Sequence, residues 1–314
     1  MTRARLAIGP ALHHGSWAWV GADMVDSLAR HYEVEVFPDL DDLPPCDVAV
    51  VVKNQALGPK AEEIARRGTR IVYLPVDFYE TEEQLHADAA LLSACSAVVI
   101  HCERLRPVME AYCGNVWPID HYNKYGLDPP AAYRRDGFIL WVGQFHYLPY
   151  LLEWACACPL PLPLVLLSNP ERPRTVRRGR EVAARLGIDI ELSDGSVNGY
   201  RLVTWSPDAQ RSLMAEAKAA IDIKGADSFE QITKPPTKAQ KYVMSGLSLS
   251  VNADSYSYDY LRGRGLQPAT PDDVERWFSE EYWRETNALG RRLREELTLE
   301  AVAGTLRSYI ERVL

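Results

Sequence analysis

Short apolar runs alternate with stretches of helical periodicity along most of this chain. In the first third, the apolar runs lie at residues 5–8, 34–37, 48–52, 70–76, 97–101 and 116–119. The helical stretches between them lie at residues 18–30, 59–67, 82–95 and 104–112. This order is typical of βαβ units, and nearly continuous apolar strands indicate a sheet covered on both faces. The sequence therefore predicts a doubly wound α/β domain with a parallel sheet.

The same alternation starts again after a polar linker. Residues 121–136 are polar and contain Pro129-Pro130, which is a linker signal. Further strands are predicted at residues 138–142, 164–167, 189–192, 201–204, 219–223 and 247–251, with helices at 147–157, 173–186, 208–218 and 237–245. We therefore predict two Rossmann-like doubly wound domains, 1–125 and 126–270, facing across a cleft. The amphipathic residues 271–314 are predicted to form a helical tail that packs back on the N-terminal domain.

The bulk composition excludes several classes of protein. A length of 314 residues favours two domains, and a net charge of −8 makes a nucleic-acid partner unlikely. The six cysteines follow no zinc or disulfide spacing, which indicates thiols in a reducing compartment. The N-terminal apolar run is too short for a signal peptide, and no run approaches the about 18 apolar residues of a membrane span. We expect a cytoplasmic protein without a transmembrane segment.

The stretch 219–251 carries the most chemical information. It reads as a strand ending in Asp222-Ile223-Lys224, followed by a loop that holds Lys234, two prolines and Lys238. A helix then runs from about residue 237 to 245, where Gly246 stops it, and a second strand follows at 247–251. A helix N-terminus at the carboxyl edge of a parallel sheet presents N–H groups and a positive dipole to an anion. The lysines, with Lys224 behind them, would neutralise its charge, so we predict a phosphate or diphosphate site.

Polar residues at other strand ends are candidates for acid–base chemistry. Asp77 follows an apolar strand and is the leading candidate for a base or for a group that orients an acceptor, although such acids also cap helices. His101, Asp120 and His121 also lie at strand ends. Histidine can take a proton near neutral pH, but a lone histidine at a strand end is more often a hydrogen-bonded structural residue.

Two loops after strands are predicted to line ligand sites. Residues His14, Gly15, Ser16 and Trp17 follow the first strand and could line an acceptor site, or form a plain connection. Gly143 and Gln144 form a turn after the strand that opens the second domain. No G-x-G-x-x-G, P-loop or G-x-S-x-G motif occurs, which disfavours dehydrogenase, P-loop and serine-hydrolase chemistry. The D-x-D at residues 39–41 is interpreted as a solvated loop.

Three stretches resemble the GT-B nucleotide-sugar glycosyltransferases, especially the bacterial retaining enzymes of surface-polysaccharide synthesis. The first is IVYLPVDFYE at 71–80 with LLSACSAVVIHCERLRPVM at 91–109, and the second is FILWVGQF at 138–145. The third is AIDIKGADSFEQITKPPTKAQKYVMSGLSLSV at 220–251, where Lys238, Tyr242 and Gly246 match the family's K-x-x-E-Y-x-x-x-G pattern.

The resemblance implies a GT-B fold and a hexosyltransferase-like enzyme that moves a sugar from a nucleotide-sugar donor to an unknown acceptor hydroxyl with retention. The catalytic candidates are Asp77, His101 and His121. The donor and phosphate candidates are Gly143, Gln144, Lys224, Lys234, Lys238 and Tyr242. With lysines to stabilise the departing diphosphate, no metal site and no cofactor are expected.

The chain departs from the family pattern in three places. Lys241 stands where the family usually has a Glu that holds the donor ribose, and lysine cannot accept a hydrogen bond. Ser248 replaces a frequent proline, and the loop after Gly143 lacks the basic residue that often grips the diphosphate. Two alternatives therefore stay open. One is a nucleotide-sugar epimerase on the same fold, in which Asp77, Asp120 and the two histidines act on the sugar ring. The other is a non-catalytic binding protein with a decayed donor site.

Overall fold

A computed structural model describes residues 3–11, 15–53, 57–158 and 160–314. The chain divides into two compact units. The first unit comprises Met1–Tyr122, Asp227–Pro235 and Glu296–Leu314, and the second comprises Asn123–Ala226 and Pro236–Glu295. No helix in the described ranges is both long enough and apolar enough to cross a bilayer.

Both units are built around sheets of short strands. The strands are β1 (Arg5–Gly9), β2 (Glu33–Val36), β3 (Val48–Val52), β4 (Arg70–Leu74), β5 (Ala97–Ile100), β6 (Val116–Pro118), β7 (Ile139–Val142), β8 (Leu164–Ser168), β9 (Leu192–Ser193), β10 (Ser196–Val197), β11 (Tyr200–Thr204), β12 (Ala219–Asp222) and β13 (Ser248–Val251). The first sheet has the order β2-β1-β3-β4-β5-β6, and every pairing in it is parallel. All five residues of β3 are buried, as expected for a strand covered on both faces.

Helices connect the strands. They are α1 (Gly15–Val20), α2 (Val25–Ala29), α3 (Leu57–Arg66), α4 (Glu82–Ala87), α5 (Ala89–Ala94), α6 (Arg106–Glu110), α7 (Leu148–Ala157), α8 (Pro173–Leu186), α9 (Pro207–Glu216), α10 (Phe229–Ile232), α11 (Thr237–Met244), α12 (Tyr256–Gly263), α13 (Val274–Phe278), α14 (Glu280–Glu296) and α15 (Leu299–Val313). Two predicted helices are interrupted. The first is divided by a 3-10 turn at Ala22–Met24 after Gly21, and the second at Asp88, which ends α4 and precedes α5.

The sheet of the second unit has the order β13-β12-β7-β8-β11-β10-β9. The pairings from β13 to β11 are parallel, whereas β10 pairs antiparallel with both β9 and β11. The prediction of a strand at 189–192 is wrong, because only Leu192 of that range is in a strand. Gly195, Asn198 and Gly199 have φ of 66°, 48° and 78°, and these left-handed residues turn the chain into a short ribbon.

The C-terminal region is helical, as predicted, and is shared between the units. Helix α14 approaches β13 and α11 of the second unit, where the Tyr282 hydroxyl donates to the Leu249 carbonyl at 2.6 Å and the Trp283 indole donates to the Gly246 carbonyl at 2.8 Å. Helix α15 packs in the first unit, where the Tyr309 hydroxyl donates to the Pro118 carbonyl at 2.6 Å. Residues 271–295 thus belong to the second unit and 296–314 to the first.

Candidate functional site

Two consecutive strands of the first sheet place opposite charges at its carboxyl edge. Lys53 directly follows β3, and Asp77 lies three residues beyond the end of β4. Lys53 and Val76 both have positive φ, 44° and 58°, which is costly for a β-branched residue such as Val76. The Lys53 N–H donates to the Leu74 carbonyl at 2.9 Å. The strained backbone is therefore stabilised by its surroundings, a condition that occurs most often at functional sites.

Asp77 is held between two lysines in a network we call the Asp77 cluster, formed by Lys53, Asp77, Glu230 and Lys234. Lys53 Nζ contacts Asp77 Oδ1, and Lys234 Nζ lies 3.4 Å from Asp77 Oδ2 and 3.0 Å from Glu230 Oε1. The Asp77 side chain remains 25% exposed. Burial would raise the pKa of Asp77, but the ammonium groups of Lys234 and Lys53 outweigh it and hold the pKa well below its usual range. The carboxylate is therefore ionised at neutral pH and a weak base.

The two predicted histidines stack on each other at the same edge. His101 follows β5, and His121 lies beyond the end of β6; their ring centroids are 4.4 Å apart with an interplanar angle of 26°. The Trp19 ring meets His121 edge-on at 5.4 Å. Neither ring nitrogen of buried His101 has a hydrogen-bond partner in the part of the chain that the structure describes. Burial and the neighbouring His121 hold the pKa of His101 well below its usual value, so His101 is neutral at physiological pH.

The structure thus brings Asp77, His101 and His121 to neighbouring strand ends of one sheet. The predicted acceptor loop is described only in part, because His14 lies outside the described residues. Gly15, Ser16 and Trp17 form the first turn of α1. The Trp17 ring packs over Gly21, where an added Cβ would lie 2.2 Å from the ring. The Trp17 ring therefore packs against the backbone at the end of α1.

The second sheet reverses its strand order beside β7. From β7 the chain proceeds through β8 to β11 on one side, and then returns to β12 on the other side. In open α/β sheets, ligands bind outside the carboxyl ends of the strands at such a switch point. Gly143 and Gln144 follow β7, and Lys224 follows β12, which ends at Asp222. These predicted donor residues therefore lie at the switch point.

An acid flanked by two lysines also stands at this edge; we call Asp222, Lys224 and Lys238 the Asp222 cluster. Lys224 Nζ lies 2.9 Å and Lys238 Nζ 3.5 Å from Asp222 Oδ1. The side chains of Asp222 and Lys224 are 1% and 5% exposed, whereas that of Lys238 is 24% exposed. Burial would raise the pKa of Asp222, but Lys224 and Lys238 lower it. The cluster holds two cations and one anion, with Lys238 facing outward.

The turn after β7 lies against this cluster. A Cβ on Gly143 would meet the Trp141 ring at 2.5 Å and Lys238 Nζ at 3.0 Å, and Lys238 Nζ lies 5.1 Å from the Trp141 ring centroid, within cation–π range. Gln144 is exposed. The hydroxyl of buried Tyr242 accepts a hydrogen bond from the Val142 N–H at 2.9 Å, so this residue positions the end of β7.

Lys241 lies over an aromatic cluster in the same unit. Its Nζ is 5.8 Å from the Tyr125 ring centroid, and Trp205 meets Tyr125 edge-on at 5.8 Å. Gln210 connects the two residues, because its Oε1 accepts from the Trp205 indole at 2.9 Å and its Nε2 donates to the Tyr125 backbone carbonyl at 2.8 Å. Burial lowers the pKa of Lys241 to about 8.

Several groups of these clusters were not predicted. Lys53, Glu230, Tyr125 and Trp205 were absent from the candidates, although Lys53 and Trp205 follow apolar runs just as Asp77 does. The sequence pattern predicts that Lys234 lies in the phosphate site with Lys238. The structure places Lys234 beside Asp77 and Glu230. Within the described ranges, no group of three His, Cys, Asp or Glu side chains is arranged to hold a metal ion.

The sequence matches no protein-family model and no curated protein sequence. Solved structures of glycosyltransferases nevertheless superpose on almost the whole chain. AviGT4, involved in avilamycin A biosynthesis, is 14% identical, with 99% of this chain and 97% of that chain covered and a TM-score of 0.58. HepE from Anabaena, in complex with UDP-glucose, is 12% identical, with 98% and 99% covered and a TM-score of 0.63.

A trehalose-6-phosphate synthase, described in a study of glycosyl transfer with retention, is 13% identical, with 97% of this chain and 80% of that chain covered and a TM-score of 0.59. At these identities the likeness concerns the fold. The chain has the fold of the GT-B glycosyltransferases, as the resemblance in its sequence predicted.

Proposed function

We propose that this chain is a glycosyltransferase that moves a sugar from a nucleoside-diphosphate donor to an acceptor hydroxyl, with Asp222, Lys224 and Lys238 at the donor diphosphate. The observation that carries the proposal is the Asp222 cluster, which places two lysines at the switch point of the second sheet, where open α/β sheets bind their ligands. The fold shared with solved glycosyltransferases supports it.

The cluster has the charge that a departing diphosphate needs. Two ammonium groups contact one buried carboxylate, and their positive charge can stabilise the negative charge that develops as the glycosidic bond breaks. Lys238 is the more accessible of the two lysines, and buried Lys224 adds positive electrostatic potential behind it. These lysines stand in for the basic residue that the loop after Gly143 lacks, and they perform this role without a metal ion.

The neighbouring structures suggest the first donor to test. HepE was solved with UDP and with UDP-glucose, and the trehalose-6-phosphate synthase study concerns transfer with retention. We therefore propose a UDP-hexose as the first candidate donor and retention as the stereochemical outcome.

On the acceptor side, the charges favour an orienting role for Asp77. Because Lys53 and Lys234 hold the pKa of its carboxyl well below the usual range, Asp77 accepts a hydrogen bond from a hydroxyl better than it removes a proton. His101 is neutral, buried, and without a hydrogen-bond partner among the described residues. One ring nitrogen of this neutral imidazole can therefore accept a hydrogen bond during transfer, while the other donates one.

A thermal-shift screen against the common nucleoside diphosphates and their sugar conjugates tests the proposal. A ligand that binds only the folded state raises the Tm by mass action. We expect one nucleotide family to raise the Tm of the wild type and to raise it less in Lys238→Met. Lys60→Met, which removes a lysine paired with Asp41 in the first unit, is the matched control. The absence of any shift contradicts the proposal.

Epimerisation of a nucleotide sugar is the second candidate, because Asp77, His101 and His121 gather at neighbouring strand ends. Incubation of the bound nucleotide sugar without an acceptor separates the two activities. A transferase releases nucleoside diphosphate slowly and leaves the sugar configuration of the remaining donor unchanged. Appearance of a second sugar isomer in the NMR spectrum would favour the epimerase.

The third candidate is a protein that binds a nucleotide sugar at the donor site without catalysing transfer, and the position of Lys241 is the reason to test it. Its ammonium group lies over the Tyr125 ring, where it can donate to a ligand but cannot accept from a ribose hydroxyl. Lys241→Glu restores an acceptor at this position. Stronger nucleotide binding by that variant than by the wild type would favour a decayed donor site, whereas weaker binding indicates that Lys241 contributes to donor recognition.

A further inference from the structure

Residues 227–235, which we call the crossover segment, belong to the first unit although both of their neighbours in sequence belong to the second. The segment begins three residues after Lys224 and ends three residues before Lys238. Both lysines of the Asp222 cluster are therefore joined to it through short, direct chain connections. A ligand that restrains the two lysines also restrains both ends of the segment.

The crossover segment is fixed inside the first unit by specific contacts. Lys234 Nζ lies 3.4 Å from Asp77 Oδ2 and 3.0 Å from Glu230 Oε1. The Arg104 guanidinium donates to the Ile232 carbonyl at 3.1 Å, and the Thr233 hydroxyl donates to the Phe229 carbonyl at 2.7 Å. Glu230 and Thr233 are buried. The segment is thus an ordered part of the first unit.

The two lysines that contact Asp77 differ in origin. Lys53 follows the buried central strand β3, so its backbone is held by the first sheet. Lys234 lies on the crossover segment, one residue before the segment ends at Pro235. Of these two lysines, only Lys234 connects Asp77 to a chain segment that continues into the Asp222 cluster.

We propose that Lys234 is a positioning residue that transmits binding of a nucleoside diphosphate at Lys224 and Lys238 to the carboxylate of Asp77. The inference rests on the proposed function of the Asp222 cluster. Binding restrains the ends of the crossover segment, which reduces the conformational freedom of Lys234 and strengthens its contact with Asp77. The orienting carboxylate thus becomes fixed once a donor is bound.

Hydrogen exchange on the full chain tests this coupling, with UDP, ADP, GDP, CDP and dTDP as the probes. In the wild type, the nucleotide that binds slows exchange at residues 222–226 and 236–240 and also at residues 76–80. In Lys234→Met, the protection at the first two segments remains and the protection at 76–80 is lost. In Lys60→Met, which removes a lysine paired with Asp41 elsewhere in the first unit, protection remains at all three segments.

Conservative variants separate positioning from a general loss of structure. Lys234→Arg keeps a cation on the segment and restores the protection at 76–80, whereas Lys234→Gln does not. Should Lys234→Met fail to fold, Asp77→Asn breaks the same ion pair from the other side, and we expect the same loss at 76–80 with protection at 222–226 retained.

The outcomes distinguish this inference from the proposed function. Protection at 222–226 and 236–240 without protection at 76–80 in the wild type overturns the coupling and leaves the donor site intact. Equal protection at 76–80 in the wild type and Lys234→Met also overturns the coupling. If no nucleotide protects residues 222–226 or 236–240, the donor site itself is refuted, and the coupling with it.

Discussion

The two sheets of this protein end in clusters of similar composition and different character. Each places an aspartate at the carboxyl edge between two lysines, Asp77 in the first unit and Asp222 in the second. Asp77 is 25% exposed, whereas Asp222 is 1% exposed. A second acid, Glu230, contacts Lys234 in the Asp77 cluster, while Lys224 and Lys238 contact the same oxygen of Asp222.

The difference shows how burial and charge balance assign roles to the same residue types. A partly exposed carboxylate can accept a hydrogen bond from a ligand at little cost. A buried carboxylate instead holds two cations that would otherwise repel each other. We therefore assign acceptor orientation to the Asp77 cluster and anion binding to the Asp222 cluster.

The largest expected effect on stability comes from removing the buried carboxylate of Asp222. Asp222→Asn leaves the ammonium group of Lys224 buried without its carboxylate, which we expect to lower the free energy of unfolding by about 3–5 kcal/mol. Asp77→Asn should cost less, because the carboxylate of Asp77 is partly exposed and Lys234 keeps its contact with Glu230. Urea unfolding of both variants measures the difference. Equal losses would contradict the distinction between the clusters.

The loss of stability at acid pH provides a second comparison of the two clusters. Because the folded-state pKa of Asp222 is lowered, its contribution to stability is complete above the ordinary carboxyl pKa of about 4 and is lost as the pH falls through the folded value. We expect the wild type to lose more stability than Asp222→Asn below about pH 4. If the wild type and Asp222→Asn lose the same stability as the pH falls, Asp222 does not stabilise the fold electrostatically.

Gly143 is expected to tolerate no side chain. A Cβ there would lie 2.5 Å from the ring of fully buried Trp141, so Gly143→Ala should destabilise the fold by about 1–3 kcal/mol. The matched control is Gly304 in helix α15, where a Cβ would meet no atom within 4 Å and where alanine should stabilise by about 0.5–1 kcal/mol. Thermal unfolding of both variants tests these predictions. A Gly143→Ala protein as stable as the wild type would contradict the close packing of Gly143 against the Trp141 ring.

The smallest effect concerns Lys241. Its pKa in the fold, about 8, lies below the ordinary value of 10.5, so the unfolded chain binds more protons between these two values. Stability should therefore rise with pH across this interval. Lys241→Gln lacks the titrating group and should not show this rise. Identical pH dependence of the Tm in the two proteins would mean that Lys241 is not desolvated.

Much of the architecture was predictable from the sequence, because buried parallel strands leave continuous apolar runs. Residues 48–52 and 173–186 form their elements with the predicted bounds. The predictions were less accurate where local chemistry overrides periodicity. Gly21 and Asp88 interrupt helices that the apolar spacing favours, and the left-handed residues 195, 198 and 199 replace a strand with a ribbon.

The arrangement of the clusters was less predictable than the fold. Strand-end positions identified Asp77, His101 and Lys224 from sequence alone, since parallel strands bring such residues to one edge. Sequence proximity, however, grouped Lys234 with Lys238, and the structure places Lys234 beside Asp77. A nine-residue excursion from one unit into the other leaves no periodic signal, so no local pattern could have indicated it.

The central claim is that the Asp222 cluster binds the diphosphate of a nucleotide donor. Isothermal titration of UDP and the other common nucleoside diphosphates into the wild type, Lys238→Met and Lys53→Met tests it most directly. Because a hydrogen bond to a charged group contributes about 1.5–3 kcal/mol, we predict that Lys238→Met lowers the affinity by about tenfold or more, whereas Lys53→Met leaves it unchanged. Equal affinity in the wild type and Lys238→Met, or no binding of any nucleoside diphosphate, would contradict the claim.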